Sequence, residues 1–287
     1  MNEHPDLGSH PSFDHLAHRP WPLPAGRWVA RQSWRDLLFA HWPVPVAAVR
    51  PLVPAALEVQ QFDGVCWLGI VPFRMADVMA RGLPALPWFS AFPELNVRVY
   101  VTAEGKPGVW FLSLDATNPL AVIGARVVFH LPYYWARMRV ENEGEGVRYW
   151  SERRGDTREN VAQAFLPAGE PGSGGAGEKG GRGERERPAA ARFEGRYWPT
   201  SEVYCAALGT LEHFLTERYC LYAQAPNGII RRTEIHHGPW PLQRAEAEIT
   251  ANTVSAAGGL PVSGPPALLH FARRIDMVLW RPERVSV

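Results

Sequence analysis

The feature that most limits the fold of this chain is its proline content. The 287 residues include 27 prolines, which are spread along the chain rather than confined to one segment. Proline lacks a backbone N–H and breaks the interior of a helix, so this distribution argues against a helical bundle. Because 46% of the residues are hydrophobic, the chain can still bury a large core. The sequence therefore predicts many short elements joined by rigid turns.

Most of the chain predicts β-strands. Residues 95–102 alternate polar and apolar side chains, residues 104–108 have the composition of a turn, and residues 109–115 supply the returning strand of a hairpin. A second hairpin is predicted over 137–152, around the loop sequence Asn-Glu-Gly-Glu-Gly. Further strands are expected at 28–35, 64–73, 193–198, 219–223, 229–236, 245–253 and 268–280.

One segment, residues 208–218, predicts a helix. Leu208, Leu211 and Leu215 recur there at helical spacing, and Gly209 or Thr210 is suited to cap its start. The expected fold class is therefore α+β and mostly β, with a barrel-like sheet and one main helix.

Two stretches differ in composition from the rest. Residues 1–22 are polar and rich in histidine and proline, which predicts a flexible N-terminal tail. Residues 167–191 are rich in glycine, proline and charge without apolar periodicity, which predicts a flexible surface insertion. The remainder, residues 23–287, is expected to form a single domain that carries this insertion.

Charge, cysteines and motifs argue against several classes of function. The net charge is +1, so no field of the whole protein attracts nucleic acid. Three cysteines without a C-x-x-C pair are expected to be reduced, and no zinc-binding motif occurs, so we expect neither a metal nor a cofactor. No run approaches the roughly 20 apolar residues of a membrane span. The start of the chain lacks the apolar core of a signal peptide, so we expect a cytoplasmic protein that binds no membrane.

Lysine is rare in this sequence. Of the 30 basic residues, two are lysines. Lys106 falls in the predicted turn 104–108, and Lys179 falls in the insertion. A nucleophilic lysine usually needs a desolvating pocket to lower its pKa, and a solvated loop does not supply one. Neither lysine is therefore expected to take part in covalent catalysis.

The strand 94–101 carries an unusual set of polar residues. Side chains alternate faces in a strand, so Glu94, Asn96, Arg98 and Tyr100 share one face. On an ordinary surface strand, this face would point to solvent. If it lines an enclosed cavity instead, Glu94 becomes a general base or orienting carboxylate, and Arg98 becomes an anion receptor. The sequence leaves both interpretations open.

A histidine pair lies at the end of the strand predicted at 229–236. His236 and His237 are adjacent, so in a strand they point to opposite faces and do not share one metal ion. Either an acid/base role or the anchoring of a turn explains such a histidine.

Five segments together resemble the YqjF-like family, a domain of unknown function in the acetoacetate decarboxylase-like superfamily. The resemblance covers roughly residues 27–280 apart from the insertion. It implies a β-rich cone or barrel around a small cavity, with flanking helices. The segments are FAHWPVP (39–45), FDGVCWLGIVPFRM (62–75), FPELNVRVYV (92–101), FLTERYCLYA (214–223) and HHGPWPLQ (236–243).

The resemblance to true acetoacetate decarboxylases points to one substitution. Their L-D-x-x-x-P, G-R-E and G-x-P-K-K-x-A stretches are similar to residues 114–119, 125–127 and 131–136 here. The lysine pair that provides their Schiff base is replaced by Tyr133 and Tyr134, and a phenol does not form an imine. The resemblance thus implies the cavity without the decarboxylase mechanism.

These observations predict a cavity that binds a small polar or organic-acid metabolite. The alternative is a lyase, isomerase or hydrolase that uses Glu94 and a tyrosine as a non-covalent acid/base pair. A third hypothesis is a solid interior in which the polar residues form a buried network. The sequence allows a homodimer without requiring one. The residues expected to form the site are Glu94, Asn96, Arg98, Arg126, Tyr133, Tyr134, His236 and His237.

Overall fold

The computed structural model describes residues 10–82, 90–118, 129–153 and 191–286. Strands dominate this part of the chain. They are β1 (Ala30–Val44), β2 (Glu58–Val59), β3 (Cys66–Ala80), β4 (Phe92–Ala103), β5 (Lys106–Ala116), β6 (Tyr133–Glu143), β7 (Gly146–Arg153), β8 (Arg192–Pro199), β9 (Cys220–Gln224), β10 (Ile230–His237), β11 (Leu242–Asn252), β12 (Leu268–Leu279) and β13 (Glu283–Arg284). The α-helices are α1 (Val46–Val49), α2 (Leu211–Thr216) and α3 (Val254–Ala257), and short 3-10 turns cover Pro11–Asp14 and Arg50–Leu52.

The strands pair into one sheet that returns on itself. The order is β13-β10-β9-β5-β6-β7-β8-β11-β12-β1-β3-β4-β2, with additional pairs between β4 and β5 and between β10 and β12. The described pairs are antiparallel except where β5 runs parallel to β6 and β9. Because the pairings form a closed circuit, one surface of the sheet faces inward. The mostly β, α+β class predicted from the sequence is confirmed.

The strand predicted at 28–35 lies mostly within a longer, 15-residue strand, β1, which continues to Val44. Asp36 adopts a positive φ of 51°, and the register of β1 against β3 shifts between Arg35 and Ala40. This irregularity explains why the alternation of side chains in the sequence is interrupted at Asp36. The two predicted hairpins are present as β4–β5 and β6–β7.

The predicted main helix is present but shorter than expected. Helix α2 has six residues, and its N-cap is Thr210, whose hydroxyl accepts a hydrogen bond from the His213 backbone N–H at 3.3 Å. Gly209 precedes this cap at a positive φ of 85°, which prevents an earlier start. Leu208, predicted to lie on the apolar face of the helix, is 86% exposed.

Residues 10–22 of the predicted tail lie in the described part of the chain. Residues 10–22 pack against the sheet, where His10, Ser12 and Arg19 are buried. His236 on β10 contacts the Ser12 carbonyl at 2.8 Å, and Arg19 donates to the Ile235 carbonyl at 2.6 Å. The polar side chains and backbone of this segment form hydrogen bonds with β10. A polar composition alone does not distinguish such a segment from one that is exposed to solvent.

Several predictions lie outside the described residues. They concern Arg126 and nearly all of the insertion 167–191, while the single domain over 23–287 stays a prediction. In the described ranges, no helix has the length and apolar character needed to cross a membrane.

Candidate functional site

The polar face of β4 points into the protein. Glu94, Asn96 and Arg98 are at most 6% exposed, and Tyr100 is 1% exposed. Strands β3 and β5 flank β4 along its length, so its backbone is paired on both sides. The opposite face, which carries Leu95 and its apolar neighbours, packs into the main hydrophobic core. The interpretation of β4 as an ordinary surface strand is therefore wrong.

Glu94 and Tyr133 meet at one end of this face. The Tyr133 hydroxyl donates a hydrogen bond of 2.8 Å to Oε2 of Glu94. Burial raises the pKa of Glu94 to about 8, an effect that outweighs the hydrogen bond from Tyr133 and is reinforced by the charge of Asp115. Burial and the nearby Glu94 carboxyl also raise the pKa of Tyr133 well above its ordinary value. At neutral pH, Glu94 is thus mainly an uncharged acid that can donate a proton.

Arg98 lies farther along the same face without a carboxylate partner among the described residues. Its Nη2 donates to the Leu215 carbonyl at 3.1 Å, and its Nε lies 3.4 Å from the Tyr100 hydroxyl. The guanidinium also lies over the Phe39 ring, 5.2 Å from its centroid. Buried arginines are usually paired with carboxylates, so an unpaired one is suited to receive an anion.

Asn96 lies between these two ends. Its Oδ1 is buried and has no hydrogen-bond partner in the described part of the chain. An unsatisfied buried acceptor costs free energy that a ligand donor would recover.

His41 and Tyr100 extend the polar cluster, although neither is among the site residues expected from the sequence. His41 Nε2 lies 2.6 Å from the Tyr100 hydroxyl. Burial, together with the charges of Arg98 and His270, lowers the pKa of His41 well below its ordinary value, so its ring is neutral. Burial similarly lowers the pKa of His270 to about 4.

A glycine marks this part of the site. A Cβ at Gly69 would lie 3.2 Å from both His41 Nε2 and the Tyr100 hydroxyl, and 3.3 Å from Cγ of Arg98. The strand pairing places Gly69 beside His41 on β1 and beside Arg98 on β4. A lone glycine inside a predicted strand indicates close approach of neighbouring groups, so this signal was available in the sequence.

The contacts of Tyr134 differ from those of Tyr133. It is adjacent to Tyr133 on β6, and neighbouring side chains in a strand point to opposite faces. The Arg153 guanidinium lies over the Tyr134 ring at 4.0 Å and donates to Asp115 at 2.6 Å. Burial raises the pKa of Asp115 to about 6 although Arg153 opposes this shift. Tyr133 is thus the tyrosine whose hydroxyl donates to Glu94.

The two histidines of β10 are both buried and contact different groups. His236 is stacked on Phe13 with ring centroids 5.7 Å apart, and burial lowers its pKa to about 3. His237 is stacked on Tyr219 at 4.8 Å and lies 5.3 Å from the ring of Trp240. His236 is thus covered by the N-terminal segment, while aromatic rings surround His237.

Lys106 is the first residue of β5 rather than the middle of a turn. Its ammonium group contacts Oε1 of Glu234 at 2.5 Å, not Glu94 or Tyr133. Three further groups reach the same carboxylate: Arg19, Trp21 and Arg232. Lys106 therefore belongs to a separate ion cluster. No group of three or more metal-ligating side chains occurs within the described ranges.

The self-closing β-rich sheet with a buried polar strand defines a protein of the acetoacetate decarboxylase-like fold. The structure of acetoacetate decarboxylase from Legionella pneumophila matches with a TM-score of 0.55 at 13% identity, covering 95% of this chain and 94% of that one. The enduracididine biosynthesis enzyme MppR, complexed with pyruvate, matches with a TM-score of 0.54 at 11% identity, covering 93% and 92%. An acetoacetate decarboxylase-like enzyme from Sphingomonas wittichii RW1 matches with a TM-score of 0.55 at 12% identity, covering 93% of this chain and 99% of that one. These low identities show the fold alone.

Within that fold, the chain belongs to the DUF2071 family, whose description is "uncharacterized conserved protein" and whose model matches residues 31–276. The uncharacterized protein YqjF of Bacillus subtilis (strain 168) is 41% identical over 258 residues. That match covers 90% of this chain and 93% of its relative. The family expected from the five sequence segments is confirmed.

Proposed function

We propose that the inward polar face of β4 binds a small organic acid, whose carboxylate pairs with Arg98. The observation that carries this proposal is the burial of the Arg98 guanidinium without a carboxylate partner among the described residues. Removing a cation from water is costly unless an anion or several hydrogen bonds compensate. A bound carboxylate supplies both.

The spacing along β4 suits a ligand of a few carbon atoms. Glu94 and Arg98 are four residues apart, which places their Cα atoms about 13 Å from each other in a strand. The two side chains fill part of that length, and Asn96 lies midway. A hydroxyl or N–H group of the ligand would pair with the free Oδ1 of Asn96, and the protonated Glu94 would donate to an oxygen at the far end. MppR, which has the same fold, was solved with pyruvate, a small oxo acid.

The chemistry proposed here excludes a Schiff base. The family resemblance implies that Tyr133 and Tyr134 replace the lysine pair, and a phenol forms no imine. Lys106 is bound to Glu234 in another cluster. We therefore expect no covalent intermediate between the protein and an oxo acid.

A second candidate function is non-covalent acid/base catalysis. The observation that favours it is the Glu94 pKa of about 8, which leaves a proton donor in the site at neutral pH. Tyr133 would then hold the carboxyl in place through its 2.8 Å hydrogen bond. In this hypothesis the ligand is a substrate of a lyase, isomerase or hydrolase. Roles for Arg126, Tyr134, His236 and His237 stay predictions, as does a homodimer.

Calorimetric titration with pyruvate, acetoacetate and succinate tests the binding proposal. We expect at least one acid to bind, and Arg98→Met to weaken it by about 10- to 100-fold because a charge-assisted pair is lost. Arg139 on β6 is exposed, so Arg139→Met is the matched control and should bind like the wild type. Equal binding by the Arg98 variant would sink the proposal.

Borohydride reduction and turnover assays separate the two chemistries. Reduction in the presence of acetoacetate should add no mass to the protein, whereas an adduct on Lys106 or Lys179 would overturn the exclusion of a Schiff base. Any acid that binds is then followed for consumption. Consumption that persists unchanged in both Glu94→Gln and Tyr133→Phe would rule out the acid/base pair.

A further inference from the structure

A second buried arginine lies next to Arg98. Arg218 follows helix α2 and is 5% exposed. Its Nε donates to the Phe214 carbonyl and its Nη1 donates to Oε1 of Gln60, both at 2.5 Å. Like Arg98, it forms no ion pair with a carboxylate in the described residues.

Both guanidiniums lie against the same aromatic ring. The Arg98 guanidinium carbon is 5.6 Å from the centroid of the Tyr100 ring, and that of Arg218 is 5.2 Å from it. Burial, with a contribution from the charge of Arg98, lowers the pKa of Arg218 to about 10, so it remains a cation at neutral pH. Two buried positive charges therefore share one ring, and neither is paired with a carboxylate of the described residues.

The end of helix α2 accounts for only part of this arrangement. Arg98 donates to the Leu215 carbonyl and Arg218 to the Phe214 carbonyl, as expected for cations near a helix C-terminus. A guanidinium has five N–H donors, and each of these two uses a pair of them in the described structure. A six-residue helix also has a weak dipole, so it does not neutralise two full charges.

We propose that Arg98 and Arg218 together clamp a doubly charged anionic group, either a dicarboxylate or a phosphate monoester. This inference rests on the proposed function, because it takes the Arg98 end of β4 as the anion-binding end. It adds that the ligand carries a second negative charge, which Arg218 neutralises. Tyr100 holds the two cations in place through its ring, and the neutral His41 fixes the Tyr100 hydroxyl.

Matched pairs of anions test the clamp. Succinate is compared with monomethyl succinate, and methyl phosphate with dimethyl phosphate, so that each pair differs by one charge. In calorimetric titrations in a chloride buffer, we expect the dianion of at least one pair to bind about 10- to 100-fold more tightly than its ester. The pair with the larger preference identifies the group as carboxylate or phosphate.

Variants assign that preference to Arg218. Arg218→Met should abolish the preference for the dianion while leaving affinity for the ester within about twofold, and Arg218→Lys should restore part of it. Arg98→Met should weaken both members of the pair, and the exposed control Arg139→Met neither. If Arg218→Met does not fold, the comparison of acid and ester on the wild-type protein still tests the second charge, and Arg218→Lys tests its assignment to Arg218.

The outcomes distinguish this inference from the proposed function. Equal affinity for dianion and ester, with loss of both in Arg98→Met, would overturn the clamp and leave organic-acid binding intact. A preference for the dianion that survives Arg218→Met would also overturn the clamp. Failure of every acid and ester to bind the wild-type protein at millimolar concentration would overturn both.

Discussion

Two glutamates of this protein have almost equal exposure to solvent but differ in charge at neutral pH. One is mainly protonated and the other is ionised. Glu94 is 3% exposed and Glu234 is 4% exposed. Glu94 accepts a hydrogen bond from one phenol, and its pKa is raised to about 8. Glu234 is desolvated as well, but hydrogen bonds from Lys106 and Trp21 and the charge of Arg19 hold its pKa below the ordinary value. Burial favours the neutral form of both carboxyls, and the cationic partners of Glu234 outweigh it there.

This difference separates a carboxylate held by several donors from a carboxyl that one phenol contacts. The Glu234 carboxylate is 2.5 Å from Lys106, 2.6 Å from Arg19 and 2.8 Å from the Trp21 indole nitrogen. It thereby attaches the N-terminal segment and the start of β5 to β10. Among the described residues no cation pairs with Glu94, so under the proposed function its proton is the one offered to a ligand. The comparison predicts that the two residues respond differently to substitution and to pH.

Glu234→Ala should have the largest effect on stability. It leaves Arg19 and Lys106 without their shared anion, and removal of one partner from a buried pair costs about 3–5 kcal/mol. Urea unfolding at pH 7 measures the loss, and hydrogen exchange should increase in residues 10–22. The exposed Glu246 provides the control, since Glu246→Ala should stay within about 0.5 kcal/mol of the wild type. A loss no larger than that of the control would show that Glu234 does not hold the segment.

Glu94→Gln should change the pH dependence of stability more than stability itself. The folded pKa of Glu94 is raised above its unfolded value near 4.5, so the folded state binds the extra proton between about pH 4.5 and 8. The free energy of unfolding therefore falls with rising pH in that window, by up to about 1.4 kcal/mol per pH unit from this group. The variant lacks this component, so its stability relative to the wild type should rise from pH 5 to pH 8.

Glu234 provides the contrast for this prediction, because its contribution to stability changes with pH in the opposite direction. Its folded pKa is lowered, so its contribution is present above pH 4.5 and is lost as the pH falls through the folded pKa. Urea unfolding of Glu94→Gln and wild type at pH 5, 6, 7 and 8 measures the difference. A constant difference across the four values would mean that Glu94 is ionised throughout, which contradicts the comparison.

The sequence predicted the fold better than the site, for physical reasons. Strand alternation and turn composition are local, so the hairpins β4–β5 and β6–β7 were visible, as was the cap at Thr210. The sequence also placed Glu94, Asn96 and Arg98 on one face. It did not decide which way that face points, because the answer depends on how distant strands pair.

The missing partners are long-range for the same reason. His41 contacts Tyr100 across 59 positions of sequence, and Arg19 reaches Glu234 across 215. Tyr133 and Tyr134 look equivalent in the sequence, but they lie on opposite faces of β6. Tyr133 therefore contacts Glu94, whereas Tyr134 contacts Arg153. Gly69 is the one local sign in the sequence that His41, Tyr100 and Arg98 approach closely. Which residues approach Gly69 depends on the strand pairing.

Tyr133→Phe and Trp21→Phe should have the smallest effects, and each removes one hydrogen-bond donor from a buried glutamate. Trp21→Phe also shrinks the ring against Arg19, so the two are compared by how their costs change with pH. At pH 6 Glu94 is neutral, so loss of the Tyr133 hydroxyl should cost about 1 kcal/mol, whereas the bond from Trp21 to the charged Glu234 should cost about 1.5–3 kcal/mol. At pH 9 Glu94 is ionised and the Tyr133 bond is charge-assisted, so the cost of Tyr133→Phe should approach that of Trp21→Phe. The cost of Trp21→Phe should not change over this range, because Glu234 is charged at both pH values.

Unfolding free energies of the two variants at pH 6 and 9 measure these costs, and Tyr204→Phe serves as the control. If the cost of Tyr133→Phe were the same at both values, Glu94 would not change its charge between them, and the proton that distinguishes it from Glu234 would be absent.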